Sequence, residues 1–376
     1  LSFPLVLHRE MVCATALLSS SLALSLLRNS APPSKSFVIS PYSLDTALAV
    51  IHDGAVGPTQ QELTTLLLNG CTPADVTSHY SSLALSLLGN NDSGVSFKSA
   101  NRFYVNDSTS LKSDYEADVI SKYQVKVEKV NFHEKATVAS KINNFVDTAT
   151  EGMIKKVVGS DSISADTLAM FVNAIYFLGQ WKFTLSKPYD FTFKGLAGPR
   201  TMDFMKREEV FRVNSNNEFG TALILPYKDE SYRFFFLMPK ETSNVATLLG
   251  SLNGEALLDT LKSAAQTKIE VIIPKFRVES KLDGVDLLKK MNVSQMFTNS
   301  ADFSKISSTP LKVSTIKHFA VIELSEQGTK AAAATVIGMV RMTASVDRPK
   351  PVLVIDRPFI YGIMRNDDIL FIGQYV

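Results

Sequence analysis

The chain has 376 residues, 45% hydrophobic and 20% charged, enough to bury a sizeable core in one large domain or two ordinary ones. A formal net charge of +2 with scattered Lys and Arg argues against a polyanion-binding protein, and no nucleic-acid partner is expected. Two cysteines, Cys13 and Cys71, are too few for a disulfide framework; they read as inert buried thiols, with a single bridge as the alternative.

The chain opens at Leu1 rather than Met, which fits removal of a leader and equally a trimmed chain. Residues 11–27 carry no charge, yet four serines interrupt them and Leu18, Leu22 and Leu26 recur at i, i+4. This predicts a core-facing amphipathic helix, not a membrane anchor, so no membrane partner is expected. SSLALSLLRN at 20–29 returns as SSLALSLLGN at 81–90, two helices of similar design rather than a solenoid. Asp53-Gly54 and Gly57-Pro58-Thr59 punctuate a helical first eighty residues, with Thr59 at a helix start. Acceptor sequons at Asn91, Asn106 and Asn292 carry weight only in a secreted chain, which is the expectation here.

Residues 137–155 read as another helix ending near Gly152. From 166 onward strand signals dominate. TLAMFVNAIYFLGQW is long, apolar and aromatic, as a buried central strand is. ALILPYKDESYRFFFLMPK predicts two strands about a polar turn at 228–231. TKIEVIIPKFRVES alternates until Pro274 breaks it. A helical patch at 282–291 and strands at 352–363 and 369–376 follow. Helices early and strands late predict an α+β fold, a single domain over 1–376 with more than one sheet.

Enzyme chemistry is missing from this inventory. The five histidines form no metal pair, and neither a CxxC nor a phosphate-cradling glycine loop occurs. Asn91-Asp92-Ser93-Gly94 is similar to the serine neighbourhood of trypsin-like proteases, but nothing marks a base or acid to complete a triad. No catalytic residue, metal or cofactor is expected.

Residues 325–342, SEQGTKAAAATVIGMVRM, join a helix-favouring alanine run to a strand-favouring Val336-Ile337 pair. Read as a strand, one face carries Thr329, Ala331, Ala333, Thr335, Ile337 and Met339 without a charge, while Lys330 lies on the other. Alone, the four-alanine run favours a surface helix or an ordinary linker over a strand, and Gly328 gives backbone freedom where the chain turns. The frame of Glu326, Gln327, Gly328, Thr329, Lys330, then Ala331, Ala332, Ala333, Ala334 and Thr335 resembles the hinge of the serpin reactive loop. VISPYSLDTALAVIHDGAVGPTQQEL at 38–63, FVNAIYFLGQW at 171–181, LPYKDESYRFFFLMPKE, IIPKFRVES, ADFSKIS and DRPFIYGIMRNDDILFIGQYV extend the resemblance from about residue 38 to the end.

The resemblance implies a serpin fold: three β-sheets, eight or nine helices and an exposed reactive loop over about 326–350. It implies suicide inhibition of a serine protease, which attacks the loop, forms an acyl-enzyme and is trapped as the loop enters the main sheet. In the family the residue before the cut commonly lies fourteen positions after the hinge glycine, which gives Met342–Thr343, with Arg341 as the alternative bait. Methionine suits chymotrypsin-like or elastase-like targets (chymotrypsin, cathepsin G, chymase, elastase), and Arg341 a trypsin-like one. Ser40, Ser43, Asn173 and His318 match the family's shutter, and Trp181 its breach. No helix shows the Lys/Arg cluster of heparin-activated members, so no heparin activation is expected, and the protein is expected to be a monomer. The competing expectation is a non-inhibitory serpin that carries a ligand, assists folding or binds a partner; the small uncharged hinge argues against it.

Overall fold

The structure, a computed structural model, describes residues 15–68, 72–87, 94–329 and 350–376. Among them the chain runs through α1 (Thr15–Ser30), β1 (Phe37–Ile39), α2 (Pro41–Gly54), α3 (Gly57–Leu68), α4 (Pro73–Leu87), β2 (Val95–Asn106), α5 (Ser113–Tyr123), β3 (Lys126–Val130), α6 (Lys135–Ala149) and β4 (Ala169–Gln180). Then come β5 (Tyr189–Gly195), β6 (Gly198–Asn217), β7 (Gly220–Pro226), β8 (Tyr232–Pro239), α7 (Val245–Ser251), α8 (Gly254–Lys262), β9 (Ala265–Pro274), β10 (Phe276–Asp283), α9 (Gly284–Lys290), β11 (Thr315–Ser325), β12 (Gly328–Thr329), β13 (Val352–Val354), β14 (Phe359–Arg365) and β15 (Asp368–Tyr375).

One sheet has six strands, in the order β10-β11-β12-β4-β2-β3, with β11 also pairing directly with β4. The other nine strands are continuous through β6, which is 20 residues long. In one lobe β6 pairs with β5 over residues 198–204 and with β9 over 204–213; in the other it pairs with β7 over 212–217, and β7 leads on to β8, β14, β15 and β1. Counted by these two lobes and the six-stranded sheet, the expected three-sheet α+β architecture is present, with nine α-helices among the described residues.

The predicted elements fall close to their places. The polar turn at 228–231 holds because the Asp229 carboxylate accepts from the Ser231 amide at 3.0 Å and hydroxyl at 2.6 Å. The helix placed at 137–155 runs earlier, and Gly152 lies beyond it at φ +79°. The single strand expected at 352–363 is two, β13 and β14, divided around Pro358, which has no amide N–H for a ladder.

The early-helix, late-strand division is incomplete. β2 and β3 lie in the first half, and α7 and α8 in the second. Both short helices have a signal in the sequence, an asparagine cap. Asn244 accepts from the Thr247 amide at 2.9 Å and Asn253 from the Ala256 amide at 2.8 Å. β2 hides because one face carries Phe103 and Val105 into the main core while Ala100 and Tyr104 meet a second one.

That second core lies on the outer face of the six-stranded sheet. Val138, Ala139, Ile142 and Val146 of α6 pack there with Met170, Val172 and Ala174 of β4 and Phe319 and Val321 of β11. The helix therefore covers both strands of one sheet contact. The Asn143 side chain ties the returning chain down: its oxygen accepts from the Val157 and Val158 amides at 2.8 and 3.1 Å, and its nitrogen donates to Val158 O at 2.9 Å. On the inner face Phe177 meets Tyr227, Tyr232 and Phe371, with ring centroids 5.0 to 6.5 Å apart, which joins the two sheets.

Candidate functional site

β4 and β11 run parallel and pair directly from Met170/Thr315 to Tyr176/Val321. Above that point they part, and β12 fills the gap. Thr329 pairs with Leu324 on one side and Gly179 on the other, and Gly328 with Ser325 and Gln180, antiparallel to both neighbours. The segment at about 326–350, expected to be an exposed reactive loop, thus has two of its hinge residues, Gly328 and Thr329, in the sheet. The physical reason is local. A turn at Ser325–Gln327 lets the chain double back, and the ladder then satisfies the hinge's backbone groups.

The entry is shaped for glycine. A Cβ on Gly328 would sit 1.8 Å from Gly179 O, a steric exclusion independent of its φ of +155°. Thr329 is 1% exposed, and its hydroxyl lies 2.5 Å from the Tyr227 hydroxyl. That burial agrees with the uncharged face read from the sequence. Tyr227 in turn stacks on Trp181, centroids 4.6 Å apart at 17°. Trp181 Nε1 donates to Ser325 O at 2.9 Å and its amide to Gln327 O at 2.8 Å; the Leu185 amide donates to Glu326 O at 2.8 Å. The Glu326 carboxylate meets Lys275 Nζ at 3.1 Å. Trp181 thus lies where β4 and β11 part, bonded to the turn that precedes Gly328.

Lower in the seam lie the four polar residues picked out in the sequence, all fully buried. His318 faces Asn173 across the β4–β11 contact, and Asn173 faces Asn101 across β4–β2. The Ser40 amide donates to His318 Nε2 at 3.1 Å, so that nitrogen carries no proton. Nδ1 then carries it and donates to Asn173 Oδ1 at 2.5 Å. Asn173 Nδ2 donates to Ser43 O at 2.8 Å and to Asn101 Oδ1 at 2.7 Å. Ser40 Oγ, the N-cap of α2, accepts from the Ser43 amide at 3.3 Å and donates to Leu370 O at 2.7 Å. Ser43 Oγ donates to Asn101 Oδ1 at 3.3 Å. Asn101 is the member that sequence reasoning missed; its only signal is a lone asparagine in a mixed strand.

Burial holds the His318 imidazole down to a pKa of about 3. The geometry agrees, since a second ring proton would point at the Ser40 N–H.

The remaining sequence-predicted residues divide in two. Asn106 is half-buried, with its side-chain oxygen accepting from Ser108 N and Oγ at 3.1 and 2.6 Å, whereas Asn292 is exposed at φ +62°. Ala331, Ala332, Ala333, Ala334, Thr335, Arg341, Met342 and Thr343 lie outside the described residues, as do Asn91, Cys13 and Cys71.

A family model described as Serpin (serine protease inhibitor) matches residues 18–376. Iripin-2 of Ixodes ricinus is 32% identical over 356 residues, 91% of this chain and 88% of its own. The thermophilic serpin tengpin, solved in its native state, matches at TM-score 0.85 and 26% identity, over 96% of this chain and 93% of that one. Thyroxine-binding globulin in complex with thyroxine matches at TM-score 0.85 and 24% identity, over 96% and 98%, a likeness of fold alone.

The buried histidine has a consequence for acid stability. Its folded pKa lies below the ordinary value of 6.5, so the unfolded chain binds the extra proton first and stability is lost as pH falls from about 6.5 toward about 3. Thermal unfolding followed by circular dichroism is expected to show His318→Gln less stable than wild type near neutrality, with the difference shrinking on acidification. An unchanged difference across that window would contradict the neutral, buried ring.

Proposed function

The chain belongs to the serpin family, and we propose that it inhibits a serine protease by the suicide route, with its reactive loop cut at Met342–Thr343 and then inserted between β4 and β11. The observation that carries this reading is the two-residue strand β12, already seated between those strands with Thr329 buried. A run of small residues follows directly in the sequence, Ala331 to Ala334. The likeness to thyroxine-binding globulin leaves the choice between inhibition and ligand carriage to such features.

The energetics favour insertion. About a dozen further residues pairing on both sides, at roughly 0.5–1.5 kcal/mol net per hydrogen bond, release on the order of ten kcal/mol or more. An intact loop cannot collect this, because both its ends are tied; one cut frees it. Insertion also has a defined switching step. A strand entering the seam moves β4 and β11 from one strand spacing apart to two, roughly 5 to 10 Å. The His318–Asn173 bond crosses that seam and has to break. Each half keeps a link to α2, His318 through the Ser40 amide and Asn173 through Ser43 O. The gate thus breaks one bond while both residues stay tied to α2, and the freed Nδ1–H and Oδ1 take new partners in the widened seam.

The protease engages the loop as substrate, its serine forming an ester with the Met342 carbonyl while the Thr343 amine departs. If insertion outruns hydrolysis of that ester, the enzyme stays covalently attached. Secretion is part of the same proposal and rests on exposed Asn292.

Chymotrypsin mixed with the protein is expected to give a complex that survives SDS, and mass spectrometry of the released C-terminal peptide to begin at Thr343. Cleavage without a complex would favour the non-inhibitory reading; a peptide beginning at Met342 would move the bait to Arg341. Thr329→Arg is expected to turn inhibitor into substrate, since an unpaired charge in that buried place costs several kcal/mol and slows insertion; an unchanged inhibition stoichiometry would count against the face assignment. Protein from a secreting eukaryotic host is expected to lose mass on N-glycosidase treatment, and no loss would remove the support for secretion.

A further inference from the structure

A carboxyl group two residues beyond Ser43 has no part in the mechanism above. Asp45 of α2 is fully buried. Its Oδ2 accepts from the Tyr80 hydroxyl of α4 at 2.8 Å, and its Oδ1 has no hydrogen-bond partner among the described residues. Tyr80 is itself 1% exposed. The neighbouring His79 packs edge-on against the Tyr80 ring, centroids 5.0 Å apart, and sets Nε2 3.2 Å from Asp368 Oδ1 of β15. Two successive residues of α4 thus hold carboxyl groups from two different elements, and both carboxyls lie within electrostatic reach of the Tyr80 oxygen.

We propose that Asp45 and Tyr80 form a pH-sensitive latch between α2 and α4, closed while the Asp45 carboxyl is neutral and strained once it ionises. A single phenol donor is too little to solvate a carboxylate removed from water, so the neutral form is favoured. Burial, opposed in part by the Tyr80 hydrogen bond, pushes the Asp45 carboxyl up to about 8. Among the described residues no cation stands against it. His79 is turned to Asp368, and the adjacent Asp367 to Lys262. From α5, Tyr115 and Tyr123 reach Val50 O and the Asp53 carboxylate, nearer the C-terminal end of α2, where His52 binds Thr64 of α3. Glu62 of α3 caps the Ser294 and Gln295 amides, and Arg28 of α1 binds Leu249 and Leu252 carbonyls. β2 and β4 bring Asn101 and Asn173, while Arg102 of β2 lies on Glu128 and the Phe145 ring of α6.

The sign follows from linkage. Because the folded pKa lies above the unfolded 3.8, this group's contribution is most favourable in acid and is lost progressively as pH rises toward about 8. That is opposite in sign to His318. Since α2 also carries Ser40 and Ser43, the strain of a buried charge on Asp45 falls on the element that anchors both halves of the seam network, while the Tyr80 hydrogen bond itself tightens.

The test uses the full chain labelled with carboxyl-13C aspartate and titrated by NMR from about pH 5 to about pH 9. One aspartate carboxyl is expected to titrate in the upper half of that range and to be missing from D45N. Removing the phenol hydroxyl in Tyr80→Phe is expected to move that midpoint upward. The advantage of D45N over wild type in thermal midpoint is expected to grow as pH rises. Every aspartate titrating below about pH 5, a midpoint indifferent to Tyr80→Phe, or a stability difference constant with pH would overturn the latch. Should D45N fail to fold, the wild-type titration and the Tyr80→Phe shift still decide.

Discussion

The parallel contact between β4 and β11 is the constraint on which the rest of this architecture turns. Parallel pairs are slightly weaker per residue than antiparallel ones and ordinarily lie in buried, settled sheets. Here the pair is complete over only part of its length and is parted at one end by a strand antiparallel to both sides. Each further residue that paired as Gly328 and Thr329 do would exchange one slanted ladder for two perpendicular ones. The seam therefore carries one slanted ladder over most of its length and two perpendicular ones at its end. The features of the candidate site, from the glycine contact at the entry to the imidazole lower down, are arranged along that one line.

Much of this was legible in the residues, and for physical reasons. β4 announced itself because a strand covered on both faces has no reason to be polar. The turn at 228–231 was plain because Asp and Ser bond their own backbone there. β2 was not, because its two faces meet different cores and its polar residues blur the alternation. The candidate site was legible in another way. Neither period nor composition brings Ser40 to His318, 278 positions apart, and the family resemblance supplied that pairing. Asn101 escaped because one asparagine in a strand has no local signature; it becomes meaningful only once the register sets it opposite Asn173. Tyr227, one residue before the polar turn, has no local signal either, although its hydroxyl meets the buried Thr329 side chain.

The buried polar groups share a logic. Polar side chains inside an apolar centre destabilise unless each hydrogen bond is made, and they then prefer a few discrete arrangements over a continuum. His318, Asn173, Asn101, Ser40 and Ser43 satisfy one another with a single proton assignment. Asp45, with one oxygen unpartnered, departs from that logic, and it sits on the same helix as the two serines. One helix thus bears both a satisfied network and an incompletely satisfied carboxyl, whose contributions to stability run in opposite directions with pH.

The two faces of the six-stranded sheet resist widening in different ways. Toward α2 the seam is held by directional bonds, which are either made or broken. Toward α6 it is held by Met170, Val172 and Ala174 on one side and Phe319 and Val321 on the other, which share one apolar cluster with α6 and with Ile154, Val158 and Ile163. Apolar contact has no preferred direction. Were the seam to widen, its apolar face would meet no directional barrier beneath that helix, whereas the opposite face would pass between discrete bonded arrangements. Precision of position is kept on one side and freedom of travel on the other.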